Sequence, residues 1–160
     1  MPSISPTYIK IAENTINLLH TKCKRGIFAD RLFKTISRGS NKYYSLEKII
    51  WMKDFLEDSN QNIATSCLEC LCNRGMKLNE IYDILQRKIK DKLFSFKAID
   101  MAEKENNPDI LLLYMEEEDF YINRVILALK RTGNESYLTT LMLSDNENLV
   151  QTINKMTNKK

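Results

Sequence analysis

The sequence predicts an all-α protein, an antiparallel helical bundle. Glycine (4) and proline (3) are scarce among its 160 residues, too few turn formers for a many-stranded β fold. Those that do occur fall between stretches whose apolar residues recur three and four apart, the period of an amphipathic helix. Leu, Ile, Lys, Glu and Asn are abundant, a set that suits helices better than strands. With 43% hydrophobic and 28% charged residues, the composition is that of an ordinary globular domain, and the length suits one domain with an extension.

The first 44 residues read as a basic helical extension. Pro2 and Pro6 keep the start extended. The spacing of Ile9, Ile11, Ala12, Ile16, Leu18 and Leu19 predicts a helix from Thr7 to His20, closed by Gly26. A second helix, Phe28 to Ser37, carries Phe28, Leu32, Phe33 and Ile36. Arg38-Gly39-Ser40-Asn41 reads as a linker.

The main bundle is expected over residues 45–143. Ser45 is placed as an N-cap ahead of Leu46, Ile49, Ile50, Met52, Phe55 and Leu56. Trp51 is expected in the core; a half-exposed Trp there would mark an interface anchor. Asp58-Ser59-Asn60 ends that helix and caps the next, which carries Ile63, Ala64, Cys67, Leu68 and Leu71 and stops at Asn73-Arg74-Gly75. A third helix carries Leu78, Ile81, Tyr82, Leu85 and Ile89 and runs into a basic tail, QRKIKDK. Ser95 is expected to cap a short helix bearing Phe96, Ile99, Met101 and Ala102. Asn106-Asn107-Pro108 ends it, and Pro108 opens the next. Leu111, Leu113, Val125, Ile126 and Leu129 belong to the core of the last helices. Thr132-Gly133-Asn134 interrupts before Tyr137, Leu138, Leu141 and Met142; residues 144–160 read as a polar tail.

Charge is unevenly spread. Residues 1–45 hold eight Lys/Arg and two acids, residues 46–100 nine of each, and residues 101–160 seven and ten. A basic front and an acidic back suit partner steering, self-association or nucleic-acid contact. No apolar run reaches membrane-spanning length, and the N-terminus lacks an apolar stretch of signal-peptide length. A cytoplasmic or nuclear location is therefore expected, with no membrane partner.

No catalytic constellation stands out, so an enzyme is not expected. There is no Gly-rich phosphate loop and no nucleophile elbow. The sharpest chemical feature is Cys67-x-x-Cys70-x-Cys72, with His20 and Cys23 upstream. Zinc needs donors converging within about 2.0–2.3 Å of the ion. Cys67 and Cys70 share a helix face, but Cys72 points away. Cys67 also lies on the apolar stripe, where cysteine acts as a small hydrophobe. No metal and no cofactor are expected. Lys22, Lys24, Arg25, Arg31 and Lys34 alternate with aromatics and could meet phosphates and bases; a solvated helix face is the plainer reading.

VILALKRTGN, Val125 to Asn134, resembles the last helix of a caspase-recruitment domain, a member of the death fold, and is most similar to those of cytosolic RNA-sensor helicases. AEKENNPDILLLYMEEEDFY, ahead of it, resembles the approach to that helix in the same family. The resemblance implies a six-helix bundle without an active site, which binds other death-fold domains, or itself, through complementary charged patches in apoptotic or innate immune signalling. The acidic candidates are Glu116, Glu117, Glu118 and Asp119; the basic ones are Arg87, Lys88, Lys90 and Lys92, with Lys130 and Arg131 as a second set. The alternatives are another α-helical interaction or inhibitor protein of viral type, docking through a groove, and a nucleic-acid-binding module built on the basic N-terminal half.

Overall fold

In the computed structural model the described residues are 33, 36, 38, 39, 44–117, 121–143 and 145–157, with the side chains at 116, 117 and 157 left aside. Among them are eight α-helices, two 3₁₀ helices and no strand. The all-α expectation holds. The helices expected over Thr7–His20 and most of Phe28–Ser37 lie outside the described residues. The chain divides into two compact units, Met1–Lys77 and Leu78–Lys160. That boundary falls inside the 45–143 span.

In the first unit, α1 (Leu46–Ile49) tightens into a 3₁₀ helix, Ile50–Glu57, where continuous α-helix was expected. Ser45 takes the N-cap position, but its side chain makes no capping bond. Asn60 does cap α2 (Gln61–Asn73): its side-chain oxygen accepts from the amides of Asn62 at 2.9 Å and Ile63 at 3.4 Å. Two of the exposed first-turn donors are thereby satisfied. The stripe Ile63, Ala64, Cys67, Leu68 and Leu71 is buried against Met52, Phe55 and Leu56. Phe33 meets Phe55 edge-on at 5.2 Å. At the C-terminus Gly75 adopts φ +105°, and the amides of Gly75 and Met76 return to the carbonyls of Cys72 and Leu71. This is a Schellman ending, which needs a left-handed residue that glycine supplies without strain. Arg74 donates to the carbonyls of Ile36 and Gly39. Trp51, expected in the core, is half-buried.

The second unit opens with a 3₁₀ turn, Leu78–Ile81, and continues through α3 (Tyr82–Arg87), α4 (Lys92–Glu105), α5 (Pro108–Glu117), α6 (Ile122–Arg131), α7 (Ser136–Leu141) and α8 (Glu147–Thr157). Helices α4, α5 and α6 pack on one another, and α8 closes against α6 and α7. Leu111, Leu113, Val125, Ile126 and Leu129 are all buried, as their spacing predicts.

Two joints follow the sequence closely. Asn106 holds a left-handed φ of 54°, and the Asn107 amide reaches back to Ala102, ending α4. The Asn107 side chain then accepts from Ile110 at 3.2 Å, so one residue ends α4 and starts α5, with Pro108 in the first turn. Gly133, at φ +75°, ends α6 in the same way, with the Asn134 amide on the Leu129 carbonyl at 2.8 Å.

In the second unit three segments differ from expectation. The basic tail QRKIKDK is a corner between α3 and α4, not the end of a long helix, because α3 stops after six residues. Ser95 lies inside α4, which starts at Lys92, and its hydroxyl is turned back onto the preceding corner. Residues 147–157 of the polar tail form α8, which buries Leu149 and Ile153. Among the described residues no helix is long and apolar enough to cross a membrane.

Candidate functional site

The corner between α3 and α4 gathers the first basic set, and its backbone is held from inside. The Lys88 amide bonds the Ile84 carbonyl at 3.0 Å, and the Asp91 amide bonds the Lys88 carbonyl at 2.9 Å. The Ile89 side chain points into the core. The Ile89 carbonyl accepts two hydroxyls. One is Ser95 Oγ at 3.0 Å, on a residue with no exposed surface; the other is Tyr121 Oη. Tyr121 is fixed in turn by edge-on contacts with Phe96 at 5.1 Å and Tyr114 at 5.4 Å. Two buried donors on one carbonyl leave the corner little freedom.

Its outer surface is basic and partly apolar. Arg87, Lys90 and Lys92 are exposed. Leu93 beside them is 47% exposed and Tyr82, at the head of α3, 40%. Lys88 is different: its ammonium lies 4.5 Å above the Phe94 ring and 3.9 Å from Asp91 Oδ2, and its side chain is only 10% exposed. That geometry makes Lys88 part of the corner's own packing. Arg87, Lys90 and Lys92 keep exposed surface, so the charge interactions they make are screened by salt.

The second basic set is divided. Lys130 donates to the Met156 carbonyl at 3.1 Å and so holds the end of α8. Arg131 is 3.7 Å from Glu103, with its side chain 57% exposed. Glu103 also accepts from Arg124 at 3.1 Å, and Asp100 accepts from Arg124 at 2.7 Å. Burial works against the Arg124 charge, yet these carboxylates outweigh it and hold its pKa above the ordinary value. This pair of bonds ties α4 to α6.

Of the acidic set, Glu116 and Glu117 are the last residues of α5, and Glu118 and Asp119 lie outside the described residues. Lys22, Lys24, Arg25, Arg31 and Lys34 also lie outside them, as do His20 and Cys23. Cys67 and Cys70 are buried thiols and Cys72 is half-buried. Cys67 Sγ donates to the Met52 carbonyl at 3.2 Å, joining α2 to the 3₁₀ helix. Among the described residues no three His, Cys, Asp or Glu side chains are grouped to hold a metal.

Sequence reasoning missed two exposed apolar side chains, Leu93 beside the corner and Tyr82 at the far end of α3. Tyr82 was assigned to the apolar stripe of a long helix, and Leu93 to none. Leu93 falls outside the apolar positions of α4, Phe94, Ala98, Met101 and Ala102, which recur three and four apart. No family model, no curated protein and no solved structure matches this chain.

Proposed function

We propose that this chain is a non-catalytic protein–protein interaction module of death-fold type that docks on like domains through opposed charged surfaces. The observation that carries the reading is the basic corner. Arg87, Lys90 and Lys92 project from a backbone that Ser95 and Tyr121 anchor at one carbonyl. A held cationic corner with exposed Leu93 next to Lys92 in the chain offers what a docking site requires: charge for selection, and an apolar contact for affinity. The acid run Glu116–Asp119 supplies the opposite charge. The resemblance of Val125–Asn134 to the last helix of caspase-recruitment domains supports the assignment to that family and to apoptotic or innate immune signalling. One basic and one acidic surface on the same chain give a head-to-tail contact, which propagates into a filament when it does not close.

Light scattering by the full chain at rising salt tests this. Assembly is expected at low salt and is expected to fall steeply as charges are screened. Reversal at the corner (Lys90→Glu with Lys92→Glu) and reversal of the acid run (Glu116→Lys, Glu117→Lys and Glu118→Lys) should each abolish assembly. Mixing the two variants should restore one-to-one pairs. Assembly unchanged by either reversal would remove charged docking from the account.

A further inference from the structure

We infer that the outward side of the 3₁₀ helix Ile50–Glu57 docks an arginine-bearing segment of a partner protein, with the guanidinium over the Trp51 ring and against Asp54. This surface lies in the first unit, and the inference stands without the reading above.

The 3₁₀ geometry decides which side chains share a side. It repeats every three residues, so side chains at i and i+3 eclipse one another. Burial follows that period. Met52 and Phe55 form one row, and both are buried. Ile50, Lys53 and Leu56 form the next, half-buried at the first two positions and buried at the third. Trp51, Asp54 and Glu57 form the third row; both carboxylates are exposed and Trp51 is half-buried. In an α-helix each step of three residues would turn the side chain by about 60° and spread this row. Runs of 3₁₀ longer than about four residues are uncommon, and this one has eight. Its effect is to set an aromatic ring and two carboxylates in one line, at steps of about 6 Å.

Trp51 is the only tryptophan of the chain. Its indole N–H is buried without an acceptor, so what the side chain offers to solvent is ring carbon. A half-buried indole is the kind of stiff apolar contact that anchors interfaces.

Charge selects the occupant. Lys53, the one cation of the 3₁₀ helix, is on the middle row, and Glu47 and Lys48 in α1 offset each other. The line that continues from Trp51 thus carries two negative charges. Asp54 has no ion-pair partner among the described residues. Such a line repels the phosphates of nucleic acid and anionic lipid, and a purely apolar partner would bury a carboxylate without compensation. Arginine meets both demands. Its guanidinium is attracted to an aromatic face within about 6 Å of the ring, and its fork of donors pairs a carboxylate. Lysine offers a point charge without the fork and should bind more weakly.

Tryptophan fluorescence of the full chain, titrated with a capped hexa-arginine peptide, tests the inference, because Trp51 alone supplies the signal. A saturable change is expected, weaker with hexalysine, absent with hexaglutamate and reduced by salt. Asp54→Asn should weaken hexa-arginine binding by about threefold, and adding Glu57→Gln should bring the loss to about tenfold. Position 54 is exposed, so Asp54→Asn should unfold at the urea midpoint of the unaltered chain. Trp51→Leu, followed by calorimetry, should lose most of the affinity. Reversal of Glu116, Glu117 and Glu118 should leave the fluorescence titration unchanged. A chain whose fluorescence does not respond to hexa-arginine overturns the inference, as does a response that persists at full strength in the Asp54→Asn, Glu57→Gln variant.

Discussion

Asn134 donates its side-chain amide to the side-chain oxygen of Asn106 at 2.7 Å. Each residue belongs to a helix ending, Asn106 to that of α4 and Asn134 to that of α6. The bond therefore joins two chain reversals that are 28 residues apart in sequence. Next to it, Asn107 donates to Asn79 at 2.9 Å and to Glu105 at 3.0 Å, and Glu105 accepts from the Leu78 amide at 3.3 Å. One end of the second unit is thus laced by side-chain amides where helices stop and start. Of these bonds, the one from the Leu78 amide to Glu105 also satisfies a backbone donor at a helix start.

Asn106 carries two separable contributions. Its left-handed backbone costs an ordinary L-residue about 1–2 kcal/mol, and its amide bond contributes about 1 kcal/mol net. Asn106→Ala should lose both and destabilise the chain by about 2 kcal/mol in urea denaturation. Asn106→Gly keeps the backbone conformation at little strain and loses only the amide bond, so it should cost less than half as much. Equal losses in the two variants would show that the backbone conformation contributes nothing.

The Ile89 carbonyl predicts a coupling. Tyr121→Phe and Ser95→Ala each remove one of its two hydroxyl donors, and each should cost about 1 kcal/mol. Together they leave a buried carbonyl without either donor, which adds a desolvation penalty that neither single change incurs. The double variant should therefore exceed the sum of the singles by about 1 kcal/mol. Strict additivity would mean that water replaces the lost donors. The double variant should also weaken charge-dependent assembly, because it loosens the corner that presents Lys90 and Lys92.

Tyr114 predicts the alkaline behaviour. Burial pushes its hydroxyl well above the ordinary value of 10.0; neighbouring Tyr121 adds to the shift, and Ser95 works against it. With the folded pKa raised, the native state keeps a proton that the unfolded chain loses above about pH 10. The resulting contribution is fully present below that pH and is lost as pH rises through the folded value. Unfolding free energy should fall with rising pH above 10, and it should fall less steeply in Tyr114→Phe. The difference between the two curves is the measurement that decides. Identical slopes would place Tyr114 in contact with water.

What was legible in the sequence was what local chemistry decides. Asn60 as a cap, Gly75 and Gly133 as helix ends, and Asn106-Asn107-Pro108 as a joint all act through their own backbone, so their residue types betray them. The buried stripe of α6 was legible because its period is regular over the whole helix. The corner at 88–91 was not. Ile89 continues the apolar spacing of Leu85, and nothing nearby breaks a helix. The turn is held by hydroxyls on Ser95 and on Tyr121, which is 32 residues away in sequence, and a partner that distant leaves no local mark. For the candidate site, residue type identified the basic side chains but could not separate exposed Lys90 from Lys88, whose ammonium rests on Phe94. Only the fold makes that distinction.

The C-terminal helix offers the last test, because its sequence looks dispensable and its packing does not. Only Leu149, Val150, Ile153 and Met156 interrupt a polar stretch, yet Leu149 and Ile153 are spaced one turn apart and both are buried. Two apolar residues on one face suffice to dock a short helix when a neighbour supplies the remaining contacts. Leu149→Ala should cost about 3 kcal/mol, within the range for a buried leucine. Ile153→Ala should cost about 2 kcal/mol, less than its type suggests, because it floors an open groove that can partly collapse. Lys130→Met keeps the aliphatic stem and removes the ammonium from the Met156 carbonyl, a loss of about 0.5–1 kcal/mol at a helix C-terminus. Deleting residues 144–160 removes all of these contacts and bares the apolar surface of α6 and α7. The truncated chain should bind a hydrophobic dye and unfold at lower urea, and a truncation with unaltered midpoint would show that α8 is not docked in solution.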